Sequence, residues 1–154
     1  MQVFVSHSQI AVFHASLTAP FSLWTGTHVN QGFAWRPGSV SFRTLEEGGL
    51  HDIDLAVAGS PGTLADDVAR AIEVPFDVPP GDGIEVGSIS ETFNVDVPPG
   101  RYCLRFVCLR GLPGKLPTIG LTFQPDSDAS FAVLRADGEL RVPAQLLTTA
   151  EAAV

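Results

Sequence analysis

Apolar and polar residues alternate with a period of two through much of the chain, most clearly from Ile72 to Phe106. Ile72, Val74, Phe76 and Val78 alternate with Glu73, Pro75 and Asp77; Phe93, Val95 and Val97 alternate with Asn94 and Asp96; Tyr102, Leu104 and Phe106 alternate with Arg101, Cys103 and Arg105. Successive side chains of a strand point to opposite faces. Each run therefore predicts a strand with one face in a core and an acidic or mixed face in water. Pro79-Pro80-Gly81-Asp82-Gly83 and Pro98-Pro99-Gly100 separate the runs with turn chemistry, so at least three antiparallel strands are expected. The inward parity switches from Ile84 and Val86 to Phe93, Val95 and Val97, which predicts a β-bulge or corner between Gly87 and Ser90.

The same reading extends to the rest of the chain. Val3 and Val5 begin a strand, and in the next stretch Ile10, Val12 and His14 fall on one face and Ala11 and Phe13 on the other, as in a strand covered on both sides. Ser39–Arg43 places Val40 and Phe42 inward, and Asp52–Val57 alternates acids with Ile53, Leu55 and Val57. Ile119–Phe123 is a further strand, and Phe131–Val142 predicts a hairpin turning at Asp137-Gly138. The stretches 21–26 and 31–38, and the Gly59-Ser60-Pro61-Gly62 step, read as loops or turns. Thr63–Ala71 is the best short-helix candidate, with Thr63 as cap and Arg70 late, or else an irregular loop. Leu146–Val154 reads as a short helix or a frayed end. The expected fold is all-β: one domain over residues 1–154, a two-sheet antiparallel β-sandwich of about eight to ten strands with at most one or two short helices. A closed barrel is the second solution.

Composition sharpens this picture. Hydrophobic residues make up 45% and charged residues 17%, which describes a globular chain able to bury a core. No apolar run is long enough for a transmembrane helix, so membrane insertion is not expected. The N-terminus lacks a basic region followed by a long apolar one, so a secretory signal is not expected and a cytoplasmic location is favoured. Cys103 and Cys108 on one strand would lie roughly 16 Å apart on opposite faces, beyond disulfide reach. The net charge of −8 is unevenly spread: residues 44–100 carry twelve acids and one base. Such a segment suits a basic protein partner. Direct nucleic-acid binding is disfavoured, because phosphate contacts require clustered Lys and Arg and the chain has one Lys.

Candidate chemistry is sparse. His7, His14, His28 and His51 show no metal-ligand spacing, so no metal or cofactor is expected, and an enzyme using these histidines ranks last. The adjacent pairs Glu46-Glu47 and Asp66-Asp67 read as solvated acids rather than catalytic dyads. No nucleophile elbow or phosphate-binding loop is present. Trp24 and Trp35, with Phe21 and Phe33, would suit either core packing or an aromatic platform for a small ligand or carbohydrate.

The ordered set Ser8-Gln9-Ile10-Ala11-Val12-Phe13, Trp24-Thr25, Gln31-Gly32-Phe33-Ala34 and Gly38-Ser39-Val40-Ser41-Phe42 resembles the competence protein J family. Val74-Pro75-Phe76-Asp77-Val78, Asp82-Gly83-Ile84-Glu85-Val86, Ser88-Ile89 and Asp96-Val97-Pro98-Pro99-Gly100-Arg101-Tyr102 continue it in order, over roughly residues 5–110. The resemblance implies a non-enzymatic inhibitor that binds a DNA-entry nuclease, or an immunity-like protein against another nuclease. From charge and exposure, the residues expected to meet the partner are Glu46, Glu47, Asp52, Asp54, Asp82 and Glu85, with Trp24 as an anchor. A sandwich binding a small ligand or carbohydrate through Trp24 and Trp35 is the alternative.

Overall fold

Two long strands, β7 (Val68–Val78) and β10 (Gly100–Leu109), pair antiparallel and bury Ile72, Val74, Phe76, Leu104 and Phe106 on one face. The computed structural model, which describes residues 1–59 and 62–154, builds a six-stranded sheet around them. Its other members are β1 (Gln2–Val5), β6 (Gly49–Val57), β11 (Thr118–Pro125) and β12 (Ala132–Arg135), in the order β1-β6-β11-β10-β7-β12. The opposing sheet has five strands: β2 (Gln9–His14), β4 (Phe33–Arg36), β5 (Ser39–Arg43), β8 (Ile84–Gly87) and β9 (Thr92–Val95), in the order β4-β5-β2-β8-β9. A small third sheet pairs β3 (Ser22–Leu23) with β13 (Glu151–Ala152). One six-residue helix, α1 (Gly26–Gln31), completes the described elements. None of the described helices is long and apolar enough to cross a membrane.

The core lies between the two large sheets. Ile10, Val12, Val40, Phe42, Ile84 and Val86 of one sheet pack in a single buried cluster with Val3, Val5, Leu104, Phe106, Leu121 and Phe123 of the other. Phe42 and Phe106 stack across the interface, with centroids 4.5 Å apart and planes 2° apart. The five-stranded sheet is covered on its back as well, which explains the doubly apolar β2. Phe21 packs edge-on against Phe13 at 5.7 Å, and Ala153 donates its amide to the Phe21 carbonyl at 2.9 Å. Ser39 and Arg36 donate to the carbonyls of Pro20 and Ala19.

The all-β expectation stands, with local corrections. The stretch Ile72–Phe106 holds four strands, in keeping with the expected minimum of three, and β8 and β9 cross into the second sheet while β7 and β10 stay in the first. The parity switch is a tight hairpin between β8 and β9, with the Ser88 amide bonded to the Glu91 carbonyl at 2.8 Å. A Cβ on Gly87 would lie 2.2 Å from that same carbonyl oxygen, so only glycine fits. Phe93 is not core but 39% exposed, since β9 is the last strand of its sheet.

The sandwich is not purely antiparallel: β6 and β11 run parallel, pairing Thr118–Phe123 with Asp52–Val57. Thr63–Ala71 is no helix. Its last four residues open β7, where Val68, Ala69, Arg70 and Ala71 are all buried. Residues 131–142 form no hairpin, because β12 pairs with β7 and Asp137 turns inward to Arg70. Leu146–Val154 is neither helical nor frayed: no helix forms there, and Glu151 and Ala152 pair as β13 with β3. The stretches 21–26 and 31–38, expected as loops or turns, carry β3, both ends of α1, and β4. Of the expected Gly59–Gly62 turn, Ser60 and Pro61 lie outside the described residues.

Candidate partner-binding surface

Two neighbouring turns build one end of the sandwich. The turn between β1 and β2 places His7 and Ser8 both at φ 56°, the left-handed geometry of a two-residue hairpin that ordinarily favours glycine or asparagine. The turn between β5 and β6 carries Glu46 and Glu47, and the two turns are laced together. Ser8 donates its amide to the Glu47 carbonyl at 2.8 Å, and Thr44 donates to the Ser8 carbonyl at 2.9 Å. Glu46 turns back toward buried His51, with Oε2 3.2 Å from Nε2, while Glu47 is exposed. Trp24 is half-buried beside them and donates its indole N–H to Gln9 Oε1 at 3.1 Å. It lines a cleft of about 360 Å³ with His7, Ser8, Gln9, Val29 and Arg43.

A buried cation holds this end in place. Arg70 is fully buried, and it donates to both carboxylate oxygens of Asp137 at 2.7 and 3.0 Å. Its Nη1 donates to the carbonyls of Arg43 and Thr44 at 2.7 and 3.1 Å. Those carbonyls immediately precede the Glu46–Glu47 turn. Partial burial alone would raise the Asp137 pKa, but the hydrogen bonds and charge of Arg70 outweigh it and hold the carboxyl below its ordinary value. Sequence reasoning missed this pair because a lone Arg beside Asp66-Asp67 looks solvated.

The C-terminal segment also locks α1, whose buried residues are polar: His28 and Gln31. Thr25 caps the helix and donates its amide to His28 Nδ1 at 2.9 Å, which leaves Nε2 to donate to the Thr149 carbonyl at 2.9 Å. Gln31 exchanges bonds with the Leu147 backbone at 2.8 and 2.9 Å. His14 sits at the other end of β2, its Nε2 2.6 Å from the Asp77 carbonyl. The four histidines thus fall in four separate settings. Among the described residues, no group of three or more His, Cys, Asp or Glu side chains is placed to hold a metal ion.

The remaining expected residues do not gather around this end. Asp82 lies near His14, at the opposite end of β2 from Gln9, about 17 Å away at ~3.3 Å per residue. Its oxygens are occupied by the Ser16 hydroxyl at 2.7 Å and amide at 3.2 Å. Glu85 is half-buried and accepts from the Thr92 hydroxyl at 2.8 Å. Asp52 accepts from Gln2 at 3.3 Å, and Asp54, exposed two residues on, has no ion-pair partner among the described residues. Trp35 is far from a shared aromatic platform: its N–H donates to the Pro75 carbonyl at 2.8 Å and its ring packs edge-on against Phe131. Of the two tryptophans, Trp24 is the one that lines the cleft beside His7 and Arg43.

Comparison with known proteins places this architecture. No curated protein matches the chain in sequence. A similar solved structure is that of ComJ, inhibitor of the DNA degrading activity of NucA, from Bacillus subtilis. It superposes with a TM-score of 0.68 at 22% identity, over 82% of this chain and 94% of that one. The family model of Competence protein J (ComJ) matches residues 2–124, which takes in both large sheets except β12 and leaves Asp137 and the tail outside. The chain belongs to the competence protein J family.

Proposed function

We propose that this protein is a non-enzymatic inhibitor that binds a DNA-cleaving nuclease in the cytosol and masks it. Membership of the competence protein J family carries the reading. The likeness in fold to an inhibitor of a DNA-degrading activity supports it. The charge distribution agrees: residues 44–100 hold twelve acids and one base, so the protein offers carboxylates where the phosphates of DNA would sit. Glu47 and Asp54, exposed and without ion-pair partners among the described residues, are the best placed of the expected acids. Asp82 and Glu85 are engaged within the protein and contribute less.

The test is a digestion assay with the NucA-type nuclease of the same genome and linear DNA. The rate should fall to zero as the protein approaches stoichiometric excess. The association rate should drop roughly tenfold or more between low and physiological salt, because exposed charges are screened over about 8 Å at physiological ionic strength. An undiminished rate in excess protein refutes the reading.

A further inference from the structure

Strand β6 outruns its neighbour. β1 pairs with it only over Gly49–Asp52, and the pairing ends where Met1 and Ile53 exchange backbone bonds, the Ile53 amide donating to the Met1 carbonyl at 2.7 Å. From there to Val57, β6 is paired on its other side alone, with β11. Strand geometry then says which groups face outward. Ile53 directs its N–H and C=O to the β1 side, and Asp52 directs its amide to the Pro117 carbonyl on the β11 side. With a period of two, Leu55 and Val57 also point their N–H and C=O away from β11. Among the described residues, these four backbone groups have no hydrogen-bond partner. The β1 edge beside them is closed differently: Phe4 donates to the Glu91 carboxylate at 2.7 Å and accepts from the Ser88 hydroxyl at 2.6 Å. Proteins commonly cover or charge such edges, and an open one is a template for another strand.

The open edge lies in a groove of about 550 Å³, lined by Leu55 and Ala56 on one side and by Val95 and Asp96 on the other. Asp54 stands at its margin, and neither Asp54 nor Asp96 has an ion-pair partner among the described residues. Met1 closes one end. The groove thus combines unpaired strand backbone, apolar walls and two free carboxylates.

We infer that the edge of β6 from Asp54 to Val57 takes up an extended basic segment of the nuclease by strand addition, with Lys or Arg side chains meeting Asp54 and Asp96. Backbone bonds to Leu55 and Val57 supply affinity, and the carboxylates select the segment. A second copy of this chain does not fit the site. It would set the same aspartates against each other in a protein of net charge −8.

The inference rests on the nuclease-binding reading, and the experiment separates the two. Val57→Pro removes an N–H that has no partner among the described residues, so it blocks strand addition while sparing the native ladder. Affinity for the same-genome NucA-type nuclease should fall at least tenfold in Val57→Pro and in Asp54→Lys/Asp96→Lys. Asp128→Lys, on an exposed loop, should bind as the wild type does. In a saturated complex with unlabelled nuclease, amide exchange at Leu55 and Val57 should slow at least tenfold. If the wild type binds but both variants bind equally well, or the two amides exchange at their free rates in the complex, the edge is not the interface and the inhibitor reading survives. If the wild type neither binds nor inhibits, both fall. Should Val57→Pro misfold, the charge-reversal variant and the exchange measurement decide the matter.

Discussion

Asp137→Ala offers the most demanding test of how the sandwich end is held. The substitution removes two charge-assisted hydrogen bonds, of 2.7 and 3.0 Å, from a guanidinium that has no exposed surface. Arg70 keeps its bonds to the Arg43 and Thr44 carbonyls, so it cannot leave the interior without abandoning those as well. Removing one partner of a buried ion pair costs about 3–5 kcal/mol, because the remaining charge stays desolvated. In urea, with a slope of roughly 2 kcal/mol/M, that lowers the unfolding midpoint by about 1.5–2.5 M. Asp137→Asn keeps an acceptor but not the charge and should fall between. Arg70→Met with Asp137→Ala should recover part of the loss, limited by the two carbonyls left without a donor at about 1–3 kcal/mol each. Equilibrium unfolding followed by tryptophan fluorescence and circular dichroism measures the three variants against the wild type. If Asp137→Ala stays within about 1 kcal/mol of the wild type, the inward-turned carboxylate is not what compensates Arg70, and the account of this end is wrong.

The same pair sets an acid limit. Asp137 is depressed below its ordinary value of 3.8, so its stabilisation is complete above that value and is lost as pH falls through the lower folded one. The stability of Asp137→Asn should therefore decline less steeply below about pH 4 than that of the wild type, as read from urea midpoints. Burial first, then the Glu73 carboxylate, pushes the Cys103 thiol up to about 12, and burial does the same to Cys108. Both should resist a thiol-reactive disulfide reagent at pH 8 in the native state and react once urea unfolds the chain, and fast native labelling of either would contradict their burial. Gly87→Ala drives a Cβ to within 2.2 Å of the Glu91 carbonyl and should destabilise the β8–β9 hairpin by at least 2 to 3 kcal/mol, a rough figure for overpacking against backbone. A midpoint unchanged from wild type would show that the hairpin can open to accept it.

The strands with clean alternation were legible in the sequence because burial follows their pattern. In β8 Ile84 and Val86 are buried around half-buried Glu85, and in β10 Leu104, Phe106 and Cys108 are buried with half-buried residues between them. Three elements resisted for physical reasons. The first turn of β7 is Val-Ala-Arg-Ala, in which small residues blur the alternation and the arginine is paid for electrostatically from a loop 67 residues away. Helix α1 buries His28 and Gln31 and exposes Val29, so its apolar periodicity is reversed. The tail is held by Gln31, His28 and the Phe21 backbone as well as by Leu146, which packs against the core, a mix that leaves no apolar periodicity. Candidate partner-binding residues were harder still. Counting acids by segment finds the charge, but Asp82 and Asp54 differ only in what lies beside them: Ser16 occupies one, and open groove borders the other.

The strand order β1-β6-β11-β10-β7-β12 has a kinetic consequence. Sheet neighbours β6 and β11 are joined in parallel across the sixty residues of intervening chain, and that chain contributes strands to both sheets. The edge of β6 thus gains its backing only after residues 118–123 have been synthesised and loop closure across that distance has been accomplished. Non-local parallel pairing of this kind slows folding, on a millisecond-to-second scale for β-rich domains. During that interval an edge that later stands open on one side stands open on both, so the nascent chain is most exposed to mispairing just before the sheet is complete.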